Sequence, residues 1–531
     1  MALTSSYWPA DHSVEVAEMT VGDLLRSAAA STPDRVALVA GDSDPGSRRR
    51  LTYAALLDES ERAACALLSR FAPGEHVAVW SPSLPQWEML QMAAGLAGLV
   101  LVTVNPALRP REVEYILRQS QAAGIAVVRE FRGNPLAGVV DEIRPGLPGL
   151  REVIAFEDWD GFVTTAAGDA ALPAVHPGDP AMIQYTSGTT GAPKGALLSH
   201  RGVVNNARLF SRRFRLDECP VWVNPLPMFH VGGCVFSALG ALWTGPTHVL
   251  VPAFDPALVL ELIDSERGSF LPAVPTMLVA MLEHPDLEDR DVSSLRVVMS
   301  GGTTVPAELV KQVQARFGAA YGIVFGQTET SGVITLSHPQ DSVADTAGTV
   351  GQPIEQTEVK VVDPETGATL PPDQVGELCV RGFGVMLGYY DMPEATTEAI
   401  DPDGWLHTGD LGSMDGRGYC RITGRLKDMI IRGGENIYPR EIEDVLFTHP
   451  GVAEVAVVGV ADPKWGEQVA AFVRPAGAQP PGPDELRAFA QEHLAAHKVP
   501  RHWRFVDQLP VTASGKVQKF VLRQQFESET G

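Results

Sequence analysis

The stretch Tyr185-Thr186-Ser187-Gly188-Thr189-Thr190-Gly191-Ala192-Pro193-Lys194-Gly195 is the most informative part of this sequence. Its eleven positions hold four Ser or Thr hydroxyls, three glycines and one lysine. Glycines let backbone N–H groups approach an oxyanion, hydroxyls add donors, and lysine adds a positive charge. A flexible linker would explain neither the terminal Pro-Lys-Gly nor the apolar run Ala181-Met182-Ile183 that leads in. The stretch predicts a phosphate-binding loop, although it lacks the GxxxxGK[ST] spacing of a P-loop NTPase.

The segments on either side of this loop alternate between short β-rich runs and helical patterns. His76 to Trp80 and Arg296 to Met299 read as buried strands, and Arg111 to Gln119 reads as an amphipathic helix. The apolar run Met92 to Val104 is shorter than the ~20 residues of a membrane-spanning helix, so it predicts a buried helix that continues into a strand. This alternation is typical of parallel sheets flanked by helices.

The pattern changes near Asp410. A compact block after Arg425 reads as a strand, a helix from Pro439 to Phe447, a strand from Val452 to Val460 and a helix from Asp484 to Leu494. A block of about 100 residues is large enough to fold alone, so we expect a domain boundary at residues 425–427. Two Pro/Gly-rich segments, at residues 133–149 and 475–483, predict surface loops.

Composition and charge exclude several classes of protein. The 531 residues are 45% apolar and 20% charged, which is ordinary for a globular protein and unlike collagen, coiled coil or disorder. The formal charge of −23 has the wrong sign for a nucleic-acid-binding surface. The five cysteines are far apart, which argues against a disulfide framework or structural zinc. Residues 1–25 contain no Lys or Arg and match no secretory or mitochondrial signal, so we expect a cytoplasmic protein without stable membrane insertion.

The loop at residues 185–195 resembles the phosphate loop of the adenylate-forming superfamily, which includes acyl-CoA synthetases, nonribosomal adenylation domains and beetle luciferases. The resemblance runs from about Val21 to Lys519 and rests on several motifs in the order of that family. It implies an α/β fold: a large N-terminal domain of stacked α/β subdomains plus a small β-barrel-like part, and a mobile, smaller α+β C-terminal domain. In the loop it assigns ATP binding to Thr186, Ser187, Gly188, Thr189, Thr190, Gly191 and Lys194.

Phe325-Gly326-Gln327-Thr328-Glu329 resembles the family's aromatic-Gly-x-Thr-Glu motif. The resemblance implies that Phe325 and Gly326 hold adenine, that Thr328 contacts the α-phosphate and that Glu329 holds Mg²⁺. A carboxylate suits a hard cation that bridges phosphates. Most relatives have Tyr in place of Phe325, so stacking on adenine survives while any hydroxyl contact is lost. Gly302 is also assigned to the ATP site.

Gly404-Trp405-Leu406-His407-Thr408-Gly409-Asp410 resembles the ribose motif of the family. Asp410 would accept hydrogen bonds from the two ribose hydroxyls, because a carboxylate offers two acceptor oxygens to a vicinal diol. Arg425, fifteen residues later, matches a second ribose or phosphate contact.

The C-terminal motifs imply two catalytic conformations. Lys427 matches the family's hinge, which gives domains at residues 1–424 and 428–531 on either side of a hinge at 425–427. Gly433 and Gly434 match the segment that lines the CoA tunnel. Lys516, in Leu509-Pro510-Val511-Thr512-Ala513-Ser514-Gly515-Lys516, matches the catalytic lysine that bridges the substrate carboxylate and the α-phosphate.

The acyl pocket is expected around the segment from Pro227 to Gly233. His230 is a candidate catalytic residue or a structural one. Residues 231–239 contain no acid, whereas amino-acid-activating relatives carry an Asp near this point. Because an uncompensated buried charge is costly, we expect an acid that is uncharged apart from its carboxylate, aliphatic or aromatic. The assigned pocket residues are His230, Val231, Gly232, Gly301 and Val324.

These features predict an AMP-forming acid–CoA ligase that uses ATP, Mg²⁺ and CoA and forms an acyl-AMP intermediate. Two alternatives stay open at this point. The acyl group could pass to an amine or to a separate carrier protein, or the chain could be a non-enzymatic nucleotide sensor. The sequence indicates neither the identity of the acid nor the oligomeric state.

Overall fold

The computed structural model describes residues 3–164, 171–186, 193–303, 305–433, 435–477, 480–511 and 517–530. Several predicted site residues lie outside this described part of the chain: Ser187, Gly188, Thr189, Thr190, Gly191, Gly434 and Lys516. The chain divides into two compact units. The larger comprises Pro9–Val359 and Val380–Leu406, and the smaller comprises Met1–Trp8, Lys360–Cys379 and His407–Gly531.

The described strands, in chain order, are β1 (Tyr7–Trp8), β2 (Val36–Ala40), β3 (Arg50–Thr52), β4 (His76–Trp80), β5 (Val100–Val104), β6 (Gly124–Val127), β7 (Glu152–Ala155), β8 (Pro180–Thr186), β9 (Lys194–Ser199), β10 (Val221–Asn224), β11 (Thr247–Leu250), β12 (Phe270–Pro272), β13 (Val297–Gly301), β14 (Ala320–Gln327), β15 (Gly332–Leu336), β16 (Gln352–Pro353), β17 (Thr357–Val362), β18 (Gly376–Gly382), β19 (Gly388–Tyr389), β20 (Leu406–Met414), β21 (Cys420–Arg425), β22 (Ile430–Arg432), β23 (Glu435–Ile437), β24 (Val452–Asp462), β25 (Gly466–Pro475) and β26 (His502–Phe505).

The described α-helices are α1 (Val21–Ser31), α2 (Tyr53–Leu68), α3 (Pro85–Ala97), α4 (Pro110–Gln119), α5 (Leu136–Ile143), α6 (Trp159–Thr164), α7 (His200–Arg213), α8 (Gly240–Thr244), α9 (Pro256–Ser265), α10 (Pro275–Leu282), α11 (Ala307–Phe317), α12 (Val343–Gly348), α13 (Pro393–Ala399), α14 (Pro439–Phe447), α15 (Pro483–His493) and α16 (Lys519–Thr530). Residues Gly232–Leu239 form a π-helix.

Two sheets organise the larger unit. One has the strand order β19-β9-β8-β5-β4-β6-β7, and the other has the order β16-β15-β14-β13-β12-β10-β11-β2-β3. The central strands β5, β4 and β6 pair in parallel. Every residue of β5, Val-Leu-Val-Thr-Val, is buried, as expected for a parallel strand covered on both faces. The predicted α/β fold is therefore confirmed, with parallel sheets at its centre.

Helices cover these sheets where the apolar pattern predicted them. α3 continues the buried run into β5, and it is buried over almost its whole length, including Trp87, Met89 and Leu90. α4 buries one face through Val113, Ile116 and Leu117, in agreement with the amphipathic pattern. Among the described residues, none of the helices combines the length and apolar character needed to cross a membrane.

The expected surface loop at residues 133–149 is wrong in its central part. Residues Leu136–Ile143 form α5, and four of them are buried: Leu136, Val139, Val140 and Ile143. Their spacing of three, four and seven residues is the repeat of one helix face, which the flanking Pro and Gly residues obscured. At residues 475–483, β25 ends at Pro475 and α15 begins at Pro483, with neither helix nor strand in the described residues between them.

The smaller unit contains part of a five-stranded sheet and a C-terminal α+β part. The five-stranded order β1-β17-β18-β20-β21 corresponds to the expected small β-rich part, and the boundary between the units passes through three of its strands. The C-terminal sheet has the order β23-β22-β25-β24, with β26 parallel to β25. α14 spans the predicted residues Pro439–Phe447, and α15 (Pro483–His493) lies one residue before the predicted range. The sequence analysis did not predict α16. The hinge at residues 425–427 lies within the smaller unit and stays a prediction.

Candidate active site

The two ends of the predicted phosphate loop are held side by side in the larger unit. Thr186 at the end of β8 pairs with Lys194 at the start of β9, and Tyr185 pairs with Gly195. The Thr186 hydroxyl donates to the Lys194 carbonyl at 3.4 Å. Residues 187–192 connect these strand ends and lie outside the described residues. The hairpin pairing therefore brings Thr186, at the end of β8, next to Lys194, at the start of β9.

A network of tyrosines anchors the same strand ends. The Tyr115 hydroxyl donates to the Pro193 carbonyl at 3.1 Å, and the Tyr185 hydroxyl donates to the side chain of Gln119 and to the Ile116 carbonyl. Burial raises the pKa of Tyr185 above its usual value, so this hydroxyl stays a donor. The described residues Pro193 and Tyr185 at the two ends of the loop are thus hydrogen-bonded to α4.

The Thr-Glu motif ends β14 and begins a short 3₁₀ turn, Thr328–Thr330. The turn is closed by Thr330, whose hydroxyl donates to the Gln327 carbonyl at 2.9 Å. Phe325, Gly326, Thr328 and Glu329 are half-buried, which leaves their exposed parts available to a ligand. The motif therefore lies at the carboxyl end of a strand, where parallel sheets commonly bind ligands.

Tyr389 joins the two motifs, and the sequence reasoning missed it. Its hydroxyl donates to Glu329 Oε1 at 2.9 Å, and the Lys194 ammonium nitrogen lies 5.0 Å from its ring centroid. β19 pairs antiparallel with β9, so Tyr389 lies opposite Ala196. The Met386 N–H donates to the Glu329 carbonyl at 2.8 Å, which holds the backbone as well. One aromatic residue thus contacts both the cation and the carboxylate of the predicted ATP site.

Tyr389 is suited to this role because it stays protonated. Burial, followed by the neighbouring charge of Glu329, raises the pKa of the Tyr389 phenol well above its usual value. The hydroxyl therefore remains a hydrogen-bond donor to Glu329 across the physiological pH range. Only the pair Gly388-Tyr389 near other aromatic residues marks this position in the sequence, and that signal is too common to identify it.

Three glycines permit close backbone packing around these strands. A Cβ atom on Gly326 would lie 1.7 Å from the Gly332 carbonyl oxygen, and one on Gly301 would lie 2.2 Å from the Val324 carbonyl oxygen. Gly301 and Val324 are register partners in β13 and β14. Gly302 has a φ of +77°, a conformation that favours glycine. Gly301 and Gly302, at the carboxyl end of β13, therefore lie beside Val324 of β14.

The predicted acyl-pocket segment leads into the π-helix Gly232–Leu239, an irregularity frequent at functional sites. His230 is half-buried, and its Nδ1 accepts the Gly232 N–H at 3.1 Å, which favours a structural contribution. Val231 and Gly232 are buried. The Gln184 side chain donates to the Cys234 thiol at 3.0 Å, a contact between two uncharged groups.

The ribose motif runs into β20, and in the smaller unit Asp410 of that strand pairs with Arg425 of β21. Arg425 Nε donates to Asp410 Oδ1 at 3.0 Å, and only 5% of the Asp410 side chain is exposed. Thr408 accepts the Asp410 N–H through its hydroxyl at 3.1 Å. The structure therefore joins the two predicted ribose residues in one ion pair.

The predicted hinge and CoA segments are also in this unit. Lys427 is exposed within the 3₁₀ turn Leu426–Asp428. Gly433 has a φ of +61°, and its N–H donates to the Trp465 carbonyl at 2.8 Å. The Trp465 side chain is 39% exposed between two cations, with Arg432 Cζ 4.9 Å and Lys464 Nζ 5.1 Å from its ring centroid. Sequence reasoning missed Trp465, because its contacts with Arg432 and Gly433 depend on the fold and not on a local motif.

Comparison with known proteins identifies the family of this chain. Residues 25–390 match the model of the AMP-binding enzyme family, and residues 441–516 match the model of the AMP-binding enzyme C-terminal domain. A protein of Bacillus subtilis named "Putative acyl-CoA synthetase YngI" is 40% identical over 96% of this chain and 98% of its own length. The bovine mitochondrial medium-chain acyl-CoA ligase ACSF2 is 38% identical over 98% of this chain and 90% of its own length.

Solved structures show the same fold. The crystal structure of ATP-bound MatB from Rhodopseudomonas palustris superposes with a TM-score of 0.87 at 30% identity, over 97% of this chain and all of that one. Family models cover most of the chain, and the relatives match it nearly end to end. The chain belongs to the AMP-binding enzyme family, the adenylate-forming superfamily indicated by its motifs, in the acyl-CoA synthetase branch.

Proposed function

We propose that this AMP-forming acid–CoA ligase activates an acid that carries no charge apart from its carboxylate. A medium-chain aliphatic acid is the first substrate to test. The observation that carries the proposal is the contact of Tyr389 with both Lys194 and Glu329. A lysine suits a phosphate oxygen, and a carboxylate suits a divalent cation. The name of the bovine relative, a medium-chain acyl-CoA ligase, supports the choice of acid.

The first step is adenylation. The substrate carboxylate oxygen attacks the α-phosphorus of ATP, the bond to the bridging oxygen breaks, and acyl-AMP and pyrophosphate form. Lys194, Thr328 and the loop hydroxyls of Thr186, Ser187, Thr189 and Thr190 would hold phosphate oxygens, with Gly188, Gly191 and Gly302 allowing backbone approach. Lys516 would place its charge between carboxylate and phosphate.

Glu329 fits the role of a Mg²⁺ ligand. Its carboxylate accepts a hydrogen bond from the Tyr389 phenol, which stays protonated, and this bond fixes the orientation of the carboxylate. Mg²⁺ prefers such oxygen ligands and completes its shell with water and phosphate oxygens. When bound, Mg²⁺ would neutralise charge on the phosphates.

The family motifs assign the nucleoside to Phe325, Gly326, Asp410 and Arg425. Phe325 and Gly326 would contact adenine. Asp410 would accept the ribose hydroxyls, with Arg425 orienting its carboxylate through the observed ion pair. Val231, Gly232, Gly301, Val324 and His230 would line the acyl pocket, with uncharged surroundings at Cys234.

The second step transfers the acyl group. The CoA thiolate attacks the acyl carbon and AMP leaves with the electron pair of the broken acyl–oxygen bond. We propose domains at residues 1–424 and 428–531, with a hinge at 425–427 through which the C-terminal domain exchanges Lys516 for the face that carries Gly433 and Gly434. Trp465, exposed between two cations, supports CoA as the acceptor because its ring and charges suit a phosphorylated adenine nucleotide.

The test is pyrophosphate release over a panel of carboxylic acids, with CoA and amino acids as alternative acceptors. Acid-dependent pyrophosphate release and acyl-CoA formation are expected, and absence of both with every acid would overturn the proposal. Lys516→Ala should slow adenylation by roughly 10² while leaving thioester formation from supplied acyl-AMP largely intact. Lys427→Pro should impair mainly the second step, with Lys427→Ala as the matched control. Equal loss of both steps in Lys516→Ala would remove its assigned role.

A further inference from the structure

Three different metal-ligating side chains converge in the smaller unit, apart from the residues assigned to ATP. Glu377 and Cys379 are alternate residues of β18 and so point to the same face of the sheet. His407 is on the neighbouring strand β20. The ligand atoms of all three residues lie within 4.8 Å of one another.

The contacts within this cluster do not resemble a catalytic triad. His407 Nδ1 lies 2.8 Å from Glu377 Oε2 and 3.6 Å from Cys379 Sγ, so both partners meet the same ring nitrogen. A relay needs the nucleophile and the orienting carboxylate on opposite nitrogens of the imidazole. The arrangement instead directs three lone-pair donors toward one point.

The spacing approaches that of a tetrahedral zinc site. With Zn–S and Zn–N bonds of ordinary length, the sulfur–nitrogen edge of the tetrahedron is about 3.6 Å. The observed Sγ–Nδ1 distance is also 3.6 Å. The nitrogen–oxygen edge would be roughly 3.4 Å, so the 2.8 Å hydrogen bond to Glu377 would open by about half an ångström.

Burial and ligand type favour a thiophilic cation. Cys379 is fully buried, and the Glu377 side chain is 9% exposed. The His407 side chain is 36% exposed, which provides an entry path and room for a water as fourth ligand. A thiolate with an imidazole selects Zn²⁺ over Mg²⁺ or Ca²⁺. Binding would release the thiol proton to solvent, and the Nδ1 proton that His407 shares with Glu377 would move to Nε2, which frees the Nδ1 lone pair for the metal.

We propose that Glu377, Cys379 and His407 form a Zn²⁺ site and that its occupation inhibits the enzyme. The second part rests on the proposed function. Glu377 Oε1 accepts the Gly409 N–H at 3.0 Å, directly before Asp410. The Thr408 hydroxyl donates to the Leu378 carbonyl at 2.7 Å and accepts the Asp410 N–H. Drawing Glu377 toward a metal loosens this anchor and displaces the carboxylate proposed to hold ribose.

The test of binding uses the full chain, stripped of metal and kept reduced, and needs neither ATP nor acid. Co²⁺ is titrated as a spectroscopic substitute for Zn²⁺. One equivalent should give a thiolate-to-cobalt charge-transfer band, and Zn²⁺ should abolish that band. Cys379→Ser should remove the band, while Cys420→Ser, the replacement of another buried cysteine in the same sheet, should retain it. Absence of the band, or its persistence in Cys379→Ser, overturns the site.

The variant His407→Gln provides a second test of the site. The His407 side chain is partly exposed, so its replacement is less critical for folding than that of a buried cysteine. It should weaken Zn²⁺ binding at least about tenfold. In the activity assay, Zn²⁺ should inhibit ATP-dependent pyrophosphate release by the unaltered enzyme more than by His407→Gln, each compared with its own metal-free rate. Equal inhibition would refute the regulatory consequence. A chain that binds cobalt but never activates an acid would instead refute the proposed function.

Discussion

The phenol of Tyr389 donates a 2.9 Å hydrogen bond to the carboxylate of Glu329, 60 residues earlier in the chain. The same ring lies 5.0 Å from the Lys194 ammonium. A single side chain therefore contacts both the cation and the carboxylate on which the proposed chemistry depends. The position of Tyr389 follows from the pairing of β19 with β9.

Tyr389→Phe keeps the ring beside Lys194 and removes only the hydrogen bond to Glu329. We expect kcat/KM for MgATP to fall about tenfold, because a hydrogen bond to a charged group contributes roughly 1.5–3 kcal/mol. Glu329→Gln should cost more, at least about 10², because it removes the charge that would bind Mg²⁺. Pyrophosphate release measured over a range of Mg²⁺ concentrations separates the two. An unchanged Mg²⁺ dependence in Glu329→Gln would contradict the assigned role.

Asp410→Asn should raise the KM for ATP at least about tenfold, since the neutral amide is a weaker acceptor and loses its ion pair with Arg425. The effect should be smaller with 2′-deoxy-ATP and 3′-deoxy-ATP, which each lack one of the hydroxyls. Steady-state kinetics with the three nucleotides test this. Arg425→Lys is the matched variant, because it keeps the charge and loses the Nε geometry. Equal losses with all three nucleotides would contradict ribose recognition.

Trp465→Ala should raise the KM for CoA at least about tenfold and leave the KM for ATP within twofold, because the exposed ring between Arg432 and Lys464 is proposed to face CoA. Phe505 is an equally exposed aromatic residue of the same unit, so Phe505→Ala serves as the control. Thioester formation from supplied acyl-AMP gives the readout without the first step. The proposal fails if the two alanine variants behave alike.

Gly326→Ala should disrupt the strand edge beside the Thr-Glu motif. Its Cβ atom would lie 1.7 Å from the Gly332 carbonyl oxygen, a backbone atom that cannot rotate away. We expect a loss of about 3 kcal/mol or more in the free energy of unfolding. Gly149→Ala has no heavy atom within 4 Å of the added carbon and should change stability by less than about 0.5 kcal/mol. Urea unfolding of the two variants provides the comparison.

His200 should make stability depend on pH. It is fully buried, its Nδ1 accepts the Val21 N–H at 3.2 Å, and desolvation lowers the pKa of its ring to about 4. The unfolded chain therefore binds a proton between about pH 6.5 and 4 that the folded chain does not. Its contribution is fully present above pH 6.5 and falls by up to about 3 kcal/mol as pH drops through this range.

Urea unfolding at pH 7 and pH 5 tests this dependence. His200→Asn offers an oxygen acceptor to the same N–H without a titrating ring, so its stability should change less between the two pH values than that of the unaltered chain. His12→Asn, on the exposed surface, should follow the unaltered chain. A pH dependence in His200→Asn equal to that of the unaltered chain would assign the effect to other groups.

The sequence by itself indicated the family and most residues of the proposed ATP site, because these lie in contiguous motifs that resemble those of the family. It also determined the alternation of strands and helices, because this depends on periodicity over a few residues. Thr186, Lys194 and Glu329 could be identified in this way from their motifs. α14 and the buried run of α3 into β5 followed from apolar patterns alone. The helix α5 was missed because Pro and Gly residues at its flanks outweighed four regularly spaced apolar residues.

Tertiary structure alone decided which distant side chains meet. Tyr389 reaches Glu329 and Lys194 through strand pairing, and Glu377 and Cys379 reach His407 through the neighbouring positions of β18 and β20. No local pattern encodes these meetings, because they depend on sheet order and register over tens to hundreds of residues. The residue types limit which chemistry is possible, and the register of the sheets determines which of those residues lie close enough to act together.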